Sequence, residues 1–203
     1  MAPRTMARAD GDGWARRLVA SPLGELMLGA TPRGVCLCEF HDRRALPTEL
    51  ADLERRFGRA DADAHSAGPA AHLDLLEAEL AAYFAGTLRA FTAPLDTPGT
   101  PFERSVWDAL LAIPHGETRS YGDVARRLGT AGASRAVGRA NGANRVSIVI
   151  PCHRVIESTG ALRGYGGGLD RKRWLLDHER AGNETTAATG SLWASAAAAG
   201  VPD

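Results

Sequence analysis

Three residues, Cys152, His153 and Glu179, could do chemistry together. A thiol is a poor nucleophile at neutral pH, and an imidazole that takes its proton, held in place by a carboxylate, makes it a good one. A Cys beside a His is common, and a lone buried Cys is usually inert, so the surroundings carry the argument. The stretch "NRVSIVIPCHRV", Asn144–Val155, sets an apolar run at Val146 and 148–150 against Pro151. This reads as a buried strand followed by a turn that presents the thiol at a sheet edge. Sequence neighbours point in different directions, so a water bridging imidazole and thiol is expected.

The other thiols, Cys36 and Cys38, form no C-x-x-C pair and have no neighbouring ligand to complete a metal site. In a strand they would share one face with Phe40 as small buried hydrophobes. No disulfide, metal or other cofactor is expected. The chain has 203 residues, 44% of them hydrophobic, enough for one ordinary domain or two small ones with a core. No apolar run approaches the roughly 18 residues that cross a bilayer, and the first residues carry charges where a signal peptide needs its apolar centre. A cytoplasmic protein is expected. Net charge is zero but uneven: residues 1–100 hold 11 Arg against 14 acids, residues 101–180 hold 13 Arg and Lys against 8. That excess only hints at an anionic partner.

The elements that must position the thiol follow from periodicity. Three apolar runs from Trp14 to Phe40, broken at Ser21–Gly24 and Thr31–Gly34, predict a β-meander. "LPTELADLERRFG" predicts a helix ending at Gly58, and Leu73, Leu76, Leu80 and Phe84 predict a second that stops before Gly86. The Pro- and Gly-rich "TAPLDTPGTP" marks a boundary between domains at 1–95 and 96–180, with 181–203 as a flexible tail. Thr100 and Glu103 form a capping box ahead of a helix to about Ala112, with Phe102, Val106, Ala109, Leu110 and Ile113 as its buried stripe. Ser120 and Asp123 cap another, closed by Gly129. "SRAVGRANGAN" then gives a short helix after a turn, the outline of a helix-turn-helix. Its Gly138, Ala140, Gly142 and Ala143 fill a core poorly, so something approaches closely: a DNA backbone or a packed helix. The glycines 164, 166, 167 and 168 around Tyr165 predict a flexible or tightly turned loop, and Asp170 a cap for the helix that carries Trp174, Leu175, His178 and Glu179.

Taken together, "SPLGELML", "AAYFAG", "SYGDVA", "SRAVGRANGAN", "IPCHRV" and "GYGGGLDRKRWLLDHE" resemble the O6-alkylguanine-DNA alkyltransferases, over about Arg17 to Glu179. The resemblance implies an α/β (α+β) fold, with an N-terminal ribonuclease-H-like sheet domain followed by a mostly helical DNA-binding domain with a helix-turn-helix. It implies repair by single-turnover transfer of the alkyl group from O6-alkylguanine in double-stranded DNA, with O4-alkylthymine as a further substrate, after minor-groove binding and base flipping. Cys152 then resembles the alkyl acceptor, His153 the base acting through water, Glu179 its orienting carboxylate and Asn144 the residue that ties the turn together. Tyr121 resembles the donor to guanine N3 that also rotates the phosphate. Arg135 resembles the finger that replaces the flipped base, with Ala136, Gly138, Arg139 and Ala140 along the DNA. The Cys152 and Val155 carbonyls, Tyr165 and the Gly166 N–H line the base pocket. A monomer that could bind cooperatively along nucleoid DNA is expected.

Two positions depart from the pattern. Arg145 stands where many relatives have proline, and Gly166 where some have serine. Two other functions remain open: a sensor that binds alkylated DNA without repairing it, against which the presence of Cys152 argues, and a cysteine hydrolase, which leaves Arg135 and the paired helices unexplained.

Overall fold

A computed structural model describes residues 13–61 and 67–181; the expected tail lies outside these. Strands β1 (Ala15–Val19), β2 (Leu26–Thr31) and β3 (Gly34–Phe40) form the antiparallel meander, in the order β1-β2-β3. Gly34 is needed at its turn: φ is 150°, and a Cβ there would lie 2.4 Å from the Pro94 carbonyl oxygen. Helix α1 (Leu46–Phe57), ended by Gly58 at φ 86°, covers one face of the sheet through Leu46 and Leu53, which pack with Trp14, Cys36 and Leu37. Helix α2 (Ala67–Phe84) covers the other through Leu73, Leu76 and Leu80, against Leu26, Leu28, Cys38 and Phe40.

Cys36 and Cys38 do not share a face as their spacing predicts. Gly29 pairs with Leu37 but Ala30 with Val35, so Cys36 is the extra residue of a β-bulge and the alternation breaks there. Cys36 therefore sides with α1, and Cys38 and Phe40 with α2. Burial lifts the Cys36 thiol to about 12 and the Cys38 thiol further, so both stay protonated.

The second half holds helices α3 (Pro101–Leu111), α4 (Tyr121–Arg127), α5 (Ser134–Gly142) and α6 (residues 169–181). Both predicted capping boxes form: Thr100 with Glu103 on α3, Ser120 with Asp123 on α4. Val106, Ala109, Leu110 and Ile113 are buried as expected, but Phe102 is 37% exposed. The first-turn position of Phe102 turns it outward, and Trp107 fills the core instead, its indole N–H donating to the Ala140 carbonyl at 2.9 Å. Helix α6 starts at residue 169, so Asp170 lies inside it and pairs loosely with Arg173 rather than capping it. Helices α3, α4 and α5 pack on one another. A two-residue parallel pairing of β4 (Arg119–Ser120) with β5 (Val155–Ile156) ties the start of α4 to the segment after Cys152. The whole is a mixed α/β structure with small sheets.

Candidate active site

The apolar run before Cys152 is not a strand. Only Val146 bridges to a strand, next to Cys38, through Cys38 N–H to the Arg145 carbonyl (2.9 Å) and Ser147 N–H to the Cys38 carbonyl (2.7 Å). Beyond it the chain winds into turns, with Ile148 at φ 73°, a left-handed conformation rare for a β-branched residue. Asn144 imposes this shape. Its side chain accepts from Val146 N–H at 3.0 Å and donates to the Ile150 carbonyl at 3.0 Å, so one buried amide fastens both ends of the loop. Pro151 leads into a single 3-10 turn, Cys152–Arg154, followed by β5.

Glu179, from α6, is the hub of the buried cluster behind that turn. It accepts from His153 Nε2 (2.8 Å), Arg154 Nε (2.8 Å) and Nη2 (2.9 Å), Tyr83 Oη of α2 (2.9 Å) and Gly116 N–H (3.0 Å). Although burial opposes its charge, bonding to His153 and Arg154 outweighs this and holds the carboxyl well below the usual carboxylate range. An ionised Glu179 fixes the proton of neutral His153 on Nε2 and leaves Nδ1, for which no partner appears among the described residues, as the accepting atom. Arg154 also offsets part of the Glu179 charge. Burial and Arg154 push the His153 pKa down, more than Glu179 raises it.

The thiol is not an anion in this state. Burial pushes Cys152 up to about 11, with Glu39 adding to the rise; the Asn144 amide, Arg43 and Lys172 act against it. Cys152 is 5% exposed and belongs to the main hydrophobic core, with Asn144, Glu39, Arg43 and Lys172 near enough to act on its charge. The cavity of about 440 Å³ between β1 and α2, lined by Val19, Leu26, Leu80 and Phe84, is away from the thiol and takes no part here.

The remaining candidates divide by location. The Tyr121 ring lies over Gly138, where a Cβ would come within 3.8 Å, and burial, Glu157 and Cys152 raise its hydroxyl's pKa. A Cβ at Gly138 would make only an ordinary contact with that ring, so packing does not demand glycine there, and Gly142 faces open space. Arg135 and Arg139 are exposed and make no ion pair among the described residues, and Ala136 is half-buried beside them. Ala140, expected along the DNA, is 3% exposed; its side chain belongs to the core beneath α5. The Val155 carbonyl accepts from Lys172 Nζ at 2.6 Å, which also donates to the Arg163 carbonyl at 2.9 Å. Lys172 is fully buried and straps the segment after Cys152 to the start of the glycine loop. Sequence reasoning did not single it out, and the strap is what distinguishes it. The glycine loop is tightly turned: Gly164 and Gly168 have φ of 59° and 94°, while Gly166 and Gly167 press on Arg43 and Phe40. The Tyr165 hydroxyl is buried near Cys152 and Glu39, and its ring meets Phe40 edge-on at 6.4 Å. Arg145, in place of proline, anchors the loop to α1 by an ion pair with Asp52 at 2.6 Å, and Asp52 falls to about 2: the Arg145 and Arg56 bonds outweigh its desolvation.

Comparison with known proteins gives the family and the fold. The family model for the 6-O-methylguanine DNA methyltransferase DNA binding domain matches residues 101–181. The chain is similar to the methylated-DNA--protein-cysteine methyltransferase of Mycobacterium leprae, 42% identical over 164 residues, covering 81% of this chain and 91% of that protein. The Mycobacterium tuberculosis protein of the same name is 58% identical over 102 residues, half of this chain, and that match spans 62% of the relative's length. The solved Mycobacterium tuberculosis OGT in complex with DNA superposes with a TM-score of 0.68 at 40% identity, over 83% of this chain and 94% of that one.

Proposed function

Since the chain belongs to the 6-O-methylguanine DNA methyltransferase family, we propose that it repairs alkylated DNA by moving the alkyl group from O6-alkylguanine to its own Cys152. The observation that carries the reading is the buried His153–Glu179 pair, closed by Arg154 and Tyr83, on the residue next to Cys152.

The Cys152 proton passes through one bridging water to His153 Nδ1, the sulfur attacks the alkyl carbon in line, the S–C bond forms and the C–O6 bond breaks. The electron pair goes to the guanine, which takes up a proton, with Tyr121 donating at N3. The imidazolium that forms is stabilised by Glu179. The products are an S-alkyl cysteine and unmodified guanine, so each molecule acts once and needs no cofactor. O4-alkylthymine is the secondary substrate. Residues 1–95 form the ribonuclease-H-like domain and 96–180 the DNA-binding one, in which α4 and α5 are the helix-turn-helix and Arg135, exposed at the start of α5, is the wedge. Extruding a base costs a few kcal/mol of stacking, part of which a wedge offsets. Arg139, Ala136 and Gly138 line the duplex; Val155, Tyr165 and Gly166 receive the base.

Incubation with duplex DNA bearing O6-methylguanine and mass spectrometry of the Cys152 peptide tests this. One methyl per molecule on Cys152, and none in Cys152→Ala, is expected. A DNA sensor leaves the peptide unmodified, and a cysteine hydrolase turns over without retaining the group; either result refutes the transfer.

A further inference from the structure

Arg43, at the corner between β3 and α1, lies far in sequence from the nucleophile but against its loop. Its side chain is 8% exposed. Nη1 donates to the Asn144 carbonyl at 3.0 Å and Nη2 to the Gly142 carbonyl at 2.9 Å, where α5 gives way to the nucleophile loop. The guanidinium also fills the space beside the glycine loop: a Cβ on Gly166 would fall 2.7 Å from its Cζ and Nε. Glu39, fully buried, anchors Nη1, and its carboxylate accepts from Ser147 Oγ at 2.8 Å; Glu49 of α1 sits 3.5 Å from Nη2. One planar cation thus joins α5, the nucleophile loop and the loop bearing Gly166 to the meander. A lysine has one point charge and could not reach both carbonyls and the carboxylate in that plane.

We propose that Arg43 is a positioning residue for alkyl transfer: it sets the loop that carries Cys152 against the glycine loop and places a positive charge that favours the departing proton's thiolate. The proposal rests on Cys152 being the acceptor. The charged and titratable groups that face Cys152 are Glu39 from β3, Arg43, Lys172 from α6, Tyr121 from α4, Tyr165 from the glycine loop and the adjacent His153. Of these Glu39 opposes a thiolate, whereas Arg43 and Lys172 favour it. Without Arg43 the Glu39 charge stands uncompensated beside the sulfur.

The test is the single-turnover rate of Cys152 alkylation by free O6-benzylguanine, from pH 6 up through the thiol's range near 11, in the full chain and in Arg43→Met, Arg43→Lys and Glu39→Gln, with melting curves to verify folding. Free base removes the DNA surface from the measurement. The expected result is an acid limb moved up by about one pH unit in Arg43→Met, so that the rate below the midpoint falls about tenfold. Arg43→Lys should keep the wild-type midpoint at a reduced rate, and Glu39→Gln should move the midpoint down. An unmoved midpoint in Arg43→Met, with or without a slower rate, overturns the proposal, since lost packing alone gives that. So does an Arg43→Lys indistinguishable from Arg43→Met. Mass spectrometry separates the two readings: benzyl on another residue sinks the Cys152 assignment and this proposal with it, whereas benzyl on Cys152 with an unmoved profile sinks only the role of Arg43.

Discussion

Glu179 accepts five hydrogen bonds from four residues on three segments, an arrangement that commits it to ionisation and leaves the second His153 nitrogen without a partner among the described residues. Tyr83 is the donor whose removal reads most simply, because Tyr83→Phe keeps the ring packing and deletes one buried hydroxyl. It should cost about 1–2 kcal/mol of stability, measured by urea unfolding, with alkylation slowed only a few-fold. A loss under half of that would mean Arg154 and Gly116 satisfy the carboxylate alone. At this scale the sequence was informative about chemistry and poor about support. Cys152, His153 and Glu179 could be picked out from residue type, and Asn144 from the resemblance. Arg43, Tyr83, Arg154 and Lys172 could not, because each acts through a contact with residues 17 to 101 positions away, and nothing in local spacing reports such a meeting.

The helix ends were legible because caps are local chemistry: Thr100–Glu103 and Ser120–Asp123 form as read. Asn144–Ile150 was misread as a strand because β-branched residues carry the same signal whether a ladder or a side-chain amide holds them. Cys36 was misplaced because a bulge leaves no mark on the alternation that it interrupts. Two glycines divide packing from function here. Gly142→Ala meets nothing within 4 Å, so it should stabilise α5 by up to about 1 kcal/mol. If Gly142 is small to admit DNA, the same variant should bind duplex several-fold more weakly in a fluorescence titration; unchanged affinity would remove DNA from its explanation. Gly167→Ala should do the reverse, because its Cβ would fall 2.5 Å from the Phe40 ring. A lowered melting temperature and slower alkylation are expected, and wild-type values for both would mean that the glycine loop can shift.

Two properties belong to the whole molecule. The first is acid stability. Glu179 has a folded pKa below its unfolded value, so the stability it contributes is complete above the ordinary value of about 4.3 and drains away as pH falls below it. Glu39 and Glu49 are shifted upward, first by burial, so their contribution is greatest in acid and opposes that loss. Urea unfolding from pH 7 to pH 3 should show Glu179→Gln less stable at neutral pH but with a shallower decline in acid; parallel curves would assign the decline to other carboxylates. The second is salt dependence. With the basic excess confined to residues 101–180, duplex affinity should fall steeply with ionic strength, and Arg139→Ala should reduce the log–log slope by about 1. An unaltered slope would take Arg139 off the phosphate backbone.

β3 lies at the margin of its three-stranded sheet, with a row of backbone groups that would otherwise be open to pairing with a second molecule. Residues 94–96 shield it at Val35, and the segment fastened by Asn144 shields it at Cys38, through Arg145 and Ser147. Any change that frees the second segment to admit a bulkier lesion therefore also bares the Cys38 end of that border. Variants engineered for wider substrate range should for that reason precipitate sooner, and a second tether such as the Arg145–Asp52 pair is what keeps the two demands apart.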